Sequence, residues 1–92
     1  MVTAVVLIET ERGALKSVAE RLAAIDGVAE VYSVAGRYDL VAIVRVPDND
    51  TMAELVTSGV LAIDGIARTE TLTAFRAYSR HDLDAMFSEG WD

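Results

Sequence analysis

The residues best suited to binding chemistry stand side by side as Gly36-Arg37-Tyr38-Asp39. A glycine turn exposes backbone amides that can hold a carboxylate, and the carboxylate of Asp39 can hold an ammonium group. Together these groups would suit a zwitterion such as an amino acid. The alternative is an ordinary hairpin turn that carries solvated charges.

Other kinds of functional site find little support. The single histidine, His81, lies in a charged stretch beside Asp82, and nothing at a suitable spacing supplies a nucleophile or a second base. The chain has no cysteine, and the acidic run 48–50 lacks the glycine and the terminal glutamate of a calcium loop. No glycine-rich phosphate loop is present. We therefore expect no catalytic residue, no metal ion and no cofactor.

Composition narrows the class of protein further. Ninety-two residues with 52% hydrophobic content favour one compact domain, and a net charge of −7 has the wrong sign for direct binding to nucleic acid. The first residues lack the basic region of a signal peptide, and the apolar run ends at Glu9, too early for a membrane span. With no cysteine to form disulfides, the sequence predicts a cytoplasmic protein without a membrane association.

The strands and helices around these residues can be predicted from hydrophobic periodicity. The pattern predicts strand 2–8, helix 14–25, strands 28–35 and 38–46, a second helix capped by Asp50 or Thr51, and strand 66–78. The apolar stripe of the first helix consists of Leu15, Val18, Ala19, Leu22 and Ile25. That of the second consists of Met52, Leu55, Val56, Val60 and Ile63.

An internal repeat defines the fold class. Ala24-Ile25-Asp26-Gly27 recurs 38 residues later as Ala62-Ile63-Asp64-Gly65, and the same offset places the first strand on the third. Two tandem βαβ halves predict an α+β, ferredoxin-like split βαβ fold. Its elements follow one another as β-α-β-β-α-β, and its antiparallel sheet carries both helices on one face.

The first and third strands are apolar on both faces. Val5 and Leu7 in one strand, and Val41 and Ile43 in the other, would lie on the face without helices. A bounded apolar patch of this kind predicts a dimer interface. The competing explanation is that residues 80–92, an amphipathic tail containing Leu83, Met86, Phe87 and Trp91, form a short helix that folds over the patch.

Two motifs in this order resemble the effector-binding domain, or RAM domain, of the leucine-responsive and asparagine-responsive (Lrp/AsnC) regulators. The first is Gly36-x-Tyr38-Asp39-Leu40 opening an apolar strand, and the second runs from Ile63 to Thr71. The resemblance covers residues 2–79, which gives an effector domain at 1–79 and a tail at 80–92. Regulators of this family carry a helix-turn-helix domain ahead of the module, and we expect a stand-alone member without DNA binding of its own.

The resemblance implies a dimer formed through the sheets, further association into rings of eight or ten subunits, and amino-acid effectors held between dimers. By position it assigns Gly36, Arg37, Tyr38, Asp39, Thr69 and Thr71 to the ligand site. The function it implies is amino-acid sensing, with regulation through assembly with a full-length paralogue. The sequence leaves two alternatives open, a small dimeric α+β-barrel enzyme and a purely structural oligomerisation module.

Overall fold

A computed structural model describes residues 1–78 and residue 80. Its elements follow one another as β1 (Val2–Thr10), α1 (Leu15–Ala23), β2 (Val28–Ser33), β3 (Leu40–Val46), α2 (Asn49–Glu54), a π-helical segment (Leu55–Val60) that continues α2, and β4 (Ile66–Thr73). The predicted β-α-β-β-α-β order is confirmed. Within the described residues, no helix has the length and apolar character needed to cross a membrane.

The four strands form one antiparallel sheet in the order β2-β3-β1-β4. The two strands that share the internal repeat, β1 and β3, are therefore the central pair, as the ferredoxin-like fold requires. Their register places Val5 opposite Ile43 and Leu7 opposite Val41.

The core lies between the sheet and the helices. Ala4, Val6 and Ile8 of β1 are fully buried, as are Leu40, Ala42 and Val44 of β3. Val18 and Leu22 of α1 and Met52, Leu55 and Val60 of the second helical stretch close the core from the other side. Alternate residues of both central strands thus face the helices, which is the period of two expected for a strand.

Among the residues that the structure describes, no helix covers the opposite face of the sheet. Val5, Leu7, Val41 and Ile43 lie there and are half-buried. Two exposed apolar side chains extend this face to both edges of the sheet, because Leu72 lies opposite Val5 and Tyr32 opposite Val41. We call these six residues the open face.

Two equivalent glycines explain the repeated Asp-Gly motif. Gly27 and Gly65 both have a φ of +98°, a left-handed conformation that favours glycine. A Cβ on Gly27 would lie 2.8 Å from Leu55 Cδ1, and one on Gly65 would lie 2.8 Å from Ala14 Cβ. Each helix is therefore followed by a glycine that lets the next strand begin close beside the other helical stretch.

The structure differs from the sequence predictions at several points. Asp48, and not Asp50 or Thr51, is the N-cap of α2, since its Oδ1 accepts a hydrogen bond from Thr51 N at 2.7 Å. Strand β4 ends at Thr73, so its predicted extension to residue 78 is wrong. Leu15 is 40% exposed instead of fully buried. The predicted tail helix lies outside the described residues.

Candidate functional site

The predicted binding residues lie in the hairpin that joins β2 to β3. Val34 N donates a 3.0 Å hydrogen bond to Asp39 O, which closes the loop on itself. Gly36 has a φ of +133°, and a Cβ built on it would meet no atom within 4 Å. Within the described residues, no hydrogen bond engages the backbone amides of residues 35–38. The hairpin therefore offers a short run of available N–H donors.

Asp39 fastens this hairpin to the end of β1. Its Oδ2 accepts hydrogen bonds from Thr10 N at 2.8 Å and from Thr10 Oγ1 at 3.2 Å, and its own backbone N donates to Ile8 O at 2.9 Å. These contacts lie where the β1–β4 register shifts between Glu9 and Thr10. Asp39 is half-buried, so one carboxylate oxygen has a structural role, while Oδ1 has no protein donor among the described residues.

Tyr38 reaches across β1 to the edge strand β4. Its hydroxyl donates to Glu70 Oε2 at 3.3 Å, and the guanidinium carbon of Arg68 lies 5.2 Å from the centre of its ring. Arg68 Nη2 also lies 3.4 Å from Glu9 Oε2, with both side chains about half exposed. The cation–π contact and the solvated ion pair are individually weak, but together they hold the tyrosine in place.

Sequence reasoning missed several of these partners. Glu9 and Arg68 lie directly opposite each other in the β1–β4 register, so knowledge of the register would have indicated an opposite-charge pair. Glu70 lies opposite Leu7 and therefore projects from the same side of the sheet as the open face. No sequence signal singles out Thr10, because a threonine at the end of a strand is an ordinary residue.

The structure does not bring the two predicted threonines to the hairpin. Thr69 lies opposite Ile8 and Thr71 opposite Val6, which places both on the side of the sheet that carries the helices. Tyr38 contacts Arg68 and Glu70, which project from the other side. Within one chain, Gly36, Arg37, Tyr38 and Asp39 are therefore grouped without Thr69 and Thr71. Arg37 is exposed at the tip of the hairpin.

A second polar group lies on β2 and β3, at the Glu30–Ile43 level of the register. Tyr32 donates a 2.6 Å hydrogen bond to Glu30 Oε2, and this bond together with the negative charge of Glu30 raises the pKa of Tyr32. Arg45 Nη1 lies 4.0 Å from Glu30 Oε1. Among residues 1–78 and 80, no three potential metal-ligating side chains come together. His81 lies outside this range.

Comparison with known proteins gives matches to transcriptional regulators. The model of the Lrp/AsnC ligand binding domain matches residues 3–83. An uncharacterized HTH-type transcriptional regulator of Pyrococcus furiosus is 37% identical over 60 residues, which are 65% of this chain and 40% of the relative. The chain thus spans less than half the length of that curated relative.

Solved structures share the fold. The crystal structure of TTHA0845 from Thermus thermophilus is 50% identical with a TM-score of 0.83, and the alignment covers 87% of this chain and 100% of that one. A transcriptional regulator of Neisseria meningitidis, crystallised as a complex with L-Met, is 12% identical with a TM-score of 0.78. That alignment covers 86% of this chain and 53% of the regulator, and at this identity it shows the fold alone.

Proposed function

The chain belongs to the Lrp/AsnC ligand-binding domain family, and from that membership we propose that it is an oligomeric amino-acid sensor that regulates by assembling with a full-length Lrp/AsnC-type regulator. Residues 1–79 form the effector domain in this proposal, and 80–92 form an appended tail. The site of action is the cytoplasm, where a transcriptional regulator meets its effector.

The groups available in the hairpin support an amino acid as the ligand. The available amides of residues 35–38 suit a carboxylate, and the adjacent Oδ1 of Asp39 suits an ammonium group. Because both groups belong to one short loop, a ligand that bears both charges on one carbon fits better than one that bears either alone. A Neisseria regulator of the same fold was crystallised with L-Met, so this fold can hold an amino acid.

The open face supports the proposal for assembly. Four half-buried apolar residues in the centre of the sheet, Val5, Leu7, Val41 and Ile43, form a continuous patch with exposed Leu72 and Tyr32 at its margins. Pairing this face with that of a second chain would bury it, and we expect a total interface of about 1,200–2,000 Å². Thr69 and Thr71 join the ligand site only where a neighbouring subunit presents them.

A thermal-shift screen against the twenty amino acids tests the ligand. Ligand at about 100 times its Kd should add about 2.7 kcal/mol of stability, a shift of several degrees. The N-acetyl and amide derivatives of the same amino acid should give far smaller shifts, because each lacks one of the two charges. Equal shifts from the amino acid and both derivatives would contradict the zwitterion site.

A matched pair of glycine substitutions locates the site. Gly36 and Gly13 both have positive φ values, +133° and +80°, and a Cβ on either would meet nothing within 4 Å. Gly36→Ala and Gly13→Ala should therefore lower the melting temperature similarly. Only Gly36→Ala should also weaken ligand binding, with a Kd about tenfold higher for a loss of about 1.4 kcal/mol in binding free energy. Equal affinities in both variants would place the ligand elsewhere.

The same screen separates the alternatives. A flat result in a correctly assembled oligomer would favour a structural oligomerisation module, for which the open face is the supporting observation. The relatives are named as regulators, and a non-enzymatic role is part of our proposal.

A further inference from the structure

A groove lies between the turn that follows α1 and the second helical stretch, and we call it the α1–α2 groove. Ile25 and Asp26 of the turn line one side, and residues within the range 51–59 line the other. Its volume is about 380 Å³. The lining residues belong neither to the Gly36–Asp39 hairpin nor to the open face, so the groove is separate from both surfaces described above.

The base of the groove is apolar and deepened by a glycine. Ile25 is half-buried and Leu55 is buried. A Cβ built on Gly59 would lie 3.6 Å from Ile25 Cδ1, an ordinary contact distance. Gly59 is not among the glycines with a positive φ, so alanine would fit here and would form the helix better. Glycine therefore leaves a methyl-sized gap above Ile25 at a cost in helix stability.

The groove follows one face of the second helical stretch. Its lining residues there recur at spacings of three and four residues, as neighbours on a helix surface do: Thr51, Glu54, Leu55, Ser58 and Gly59. At a rise of about 1.5 Å per residue this face is about 12 Å long. The lining side chains beyond Leu55 are small, so the backbone of a partner segment can approach closely at that end.

The negative charge of the chain is concentrated around this groove. The sequence from residue 46 to residue 67 contains no Lys or Arg and accounts for four of the seven net negative charges, through Asp48, Asp50, Glu54 and Asp64. Asp26 and Glu54 line the groove, both are exposed, and among the described residues neither forms a salt bridge. Asp50 precedes Glu54 by four residues, a spacing at which like charges on a helix repel. A bound cation would relieve that repulsion.

The sign of this charge decides between possible occupants. A second copy of the chain carries the same net charge of −7, and a nucleic acid or an anionic membrane surface is negative as well. A positively charged protein segment is attracted instead. An aliphatic side chain on that segment gains from contact with Ile25 and Leu55. Lys or Arg beside it can lay an apolar stem along the groove while the charged end reaches a carboxylate.

We propose that the α1–α2 groove docks a basic amphipathic segment of a partner protein. An aliphatic side chain of the segment lies over Gly59, and Lys or Arg side chains on either side of it pair with Asp26 and Glu54. Because the groove is separate from the hairpin, this docking does not depend on the proposed amino-acid site and can fail or succeed without it.

Fluorescence anisotropy with labelled peptides tests the docking on the full chain. The first probe is a helical peptide of about 14 residues, or about four turns, with leucine along one face and lysine on both flanks. Two further probes replace every leucine by alanine or every lysine by glutamate. The leucine–lysine peptide should bind at least about tenfold more tightly than either. No binding of this peptide, or equal affinity for the alanine–lysine peptide, would overturn the proposal.

Charge variants locate the peptide. Asp26→Asn combined with Glu54→Gln should weaken binding of the leucine–lysine peptide by about tenfold, the effect of losing two exposed ion pairs. The control combines Glu11→Gln with Glu20→Gln, which removes two exposed charges outside the groove and changes the net charge equally. Equal losses in the two double variants would overturn the site, because the peptide would then respond only to the overall charge.

Gly59→Ala tests the apolar contact without damaging the fold. The added methyl group occupies the gap above Ile25, and affinity for the leucine–lysine peptide should fall about fourfold, the effect of one displaced methylene. The melting temperature should not fall, since alanine is the better helix former. Thr57→Ala, on the same helical stretch but outside the groove, should keep the wild-type affinity.

Two results from these variants would contradict a docking groove for a partner. One is an unchanged affinity in Gly59→Ala, which would show that no side chain lies over Gly59. The other is a lower oligomeric mass of the Asp26→Asn/Glu54→Gln variant by light scattering, which would identify the groove as a contact between copies of the chain.

Discussion

Replacing Asp39 by alanine separates its structural role from its role in binding. In the structure one oxygen, Oδ2, accepts two hydrogen bonds from Thr10, at 2.8 Å from the backbone N and 3.2 Å from Oγ1. A hydrogen bond to a charged group contributes about 1.5–3 kcal/mol, and the half-buried amide of Thr10 would be left without its acceptor. We expect Asp39→Ala to lower the free energy of unfolding by about 2 kcal/mol.

The assay is thermal unfolding followed by circular dichroism at a fixed protein concentration, because assembly makes the melting temperature depend on concentration. For a domain of this size, about 2 kcal/mol corresponds to a decrease of about 8–16 °C. The matched variant Thr10→Val removes only the longer, 3.2 Å bond and keeps the backbone N–H, so it should cost less than half as much. A melting temperature of Asp39→Ala within about 2 °C of the wild type would refute the anchoring role.

Ligand affinity in the same two variants completes the test. Thr10→Val loosens the anchor but leaves the Asp39 carboxylate in place for the ammonium group of the ligand. Asp39→Ala removes both the hydrogen bonds to Thr10 and the carboxylate available to the ligand. If the carboxylate contacts the ligand, only Asp39→Ala should lose affinity, by about tenfold or more for a charge-assisted bond. An equal loss in both variants would show that Asp39 only positions the hairpin.

Three further outcomes follow from the fold. Val41→Asp places a charge in the centre of the open face, and light scattering should show a lower mass than for the wild type, whereas a wild-type particle of 9.9 kDa would contradict assembly. Gly65→Ala should lower the free energy of unfolding, measured by chemical denaturation, by about 3 kcal/mol, because it adds backbone strain and overpacking against α1. Gly13→Ala should lower it by about 1 kcal/mol, because it adds strain alone. A cost no larger at Gly65 than at Gly13 would argue against the close packing. Hydrogen bonds from the hydroxyl and the backbone amide of Thr51 lower the pKa of Asp48 in the folded protein. The stability that this carboxylate contributes is therefore fully present above its pKa in the unfolded chain, and it is lost as the pH falls through its pKa in the folded protein. Asp48→Ala should therefore melt below the wild type at pH 7 with a difference that shrinks below about pH 4, and a difference independent of pH would exclude the charge as its source.

Spacing in the sequence was enough to predict the second helical stretch but not its local form. Met52, Leu55 and Val60 are buried as the apolar stripe predicts. Leu55 and Val60, however, are five residues apart, and the chain accommodates this by a π-helical turn in which Leu61 N bonds to Val56 O at 3.3 Å. The stripe indicates which residues are buried, whereas the packing of the core decides how the backbone winds to bury them.

Residue types and their spacing were enough to predict the identity and order of the elements and the apolar character of both faces of the central strands. Periods of 3.6 and 2.0 residues are local properties of the backbone, and the 38-residue repeat made the split βαβ arrangement predictable from residue types alone. The same local information located the Gly36–Asp39 hairpin, because a glycine turn between two apolar strands needs no distant partner to be recognised.

The contacts between distant side chains, in contrast, could be seen only in the folded chain. The strand register places Glu9 opposite Arg68. The fold also brings Thr10 within hydrogen-bond distance of Asp39. The same register puts Thr69 and Thr71 on the side of the sheet opposite to the contacts of Tyr38. A shift of one residue in register exchanges the faces of a whole strand, and no local pattern specifies that shift between strands far apart in the sequence.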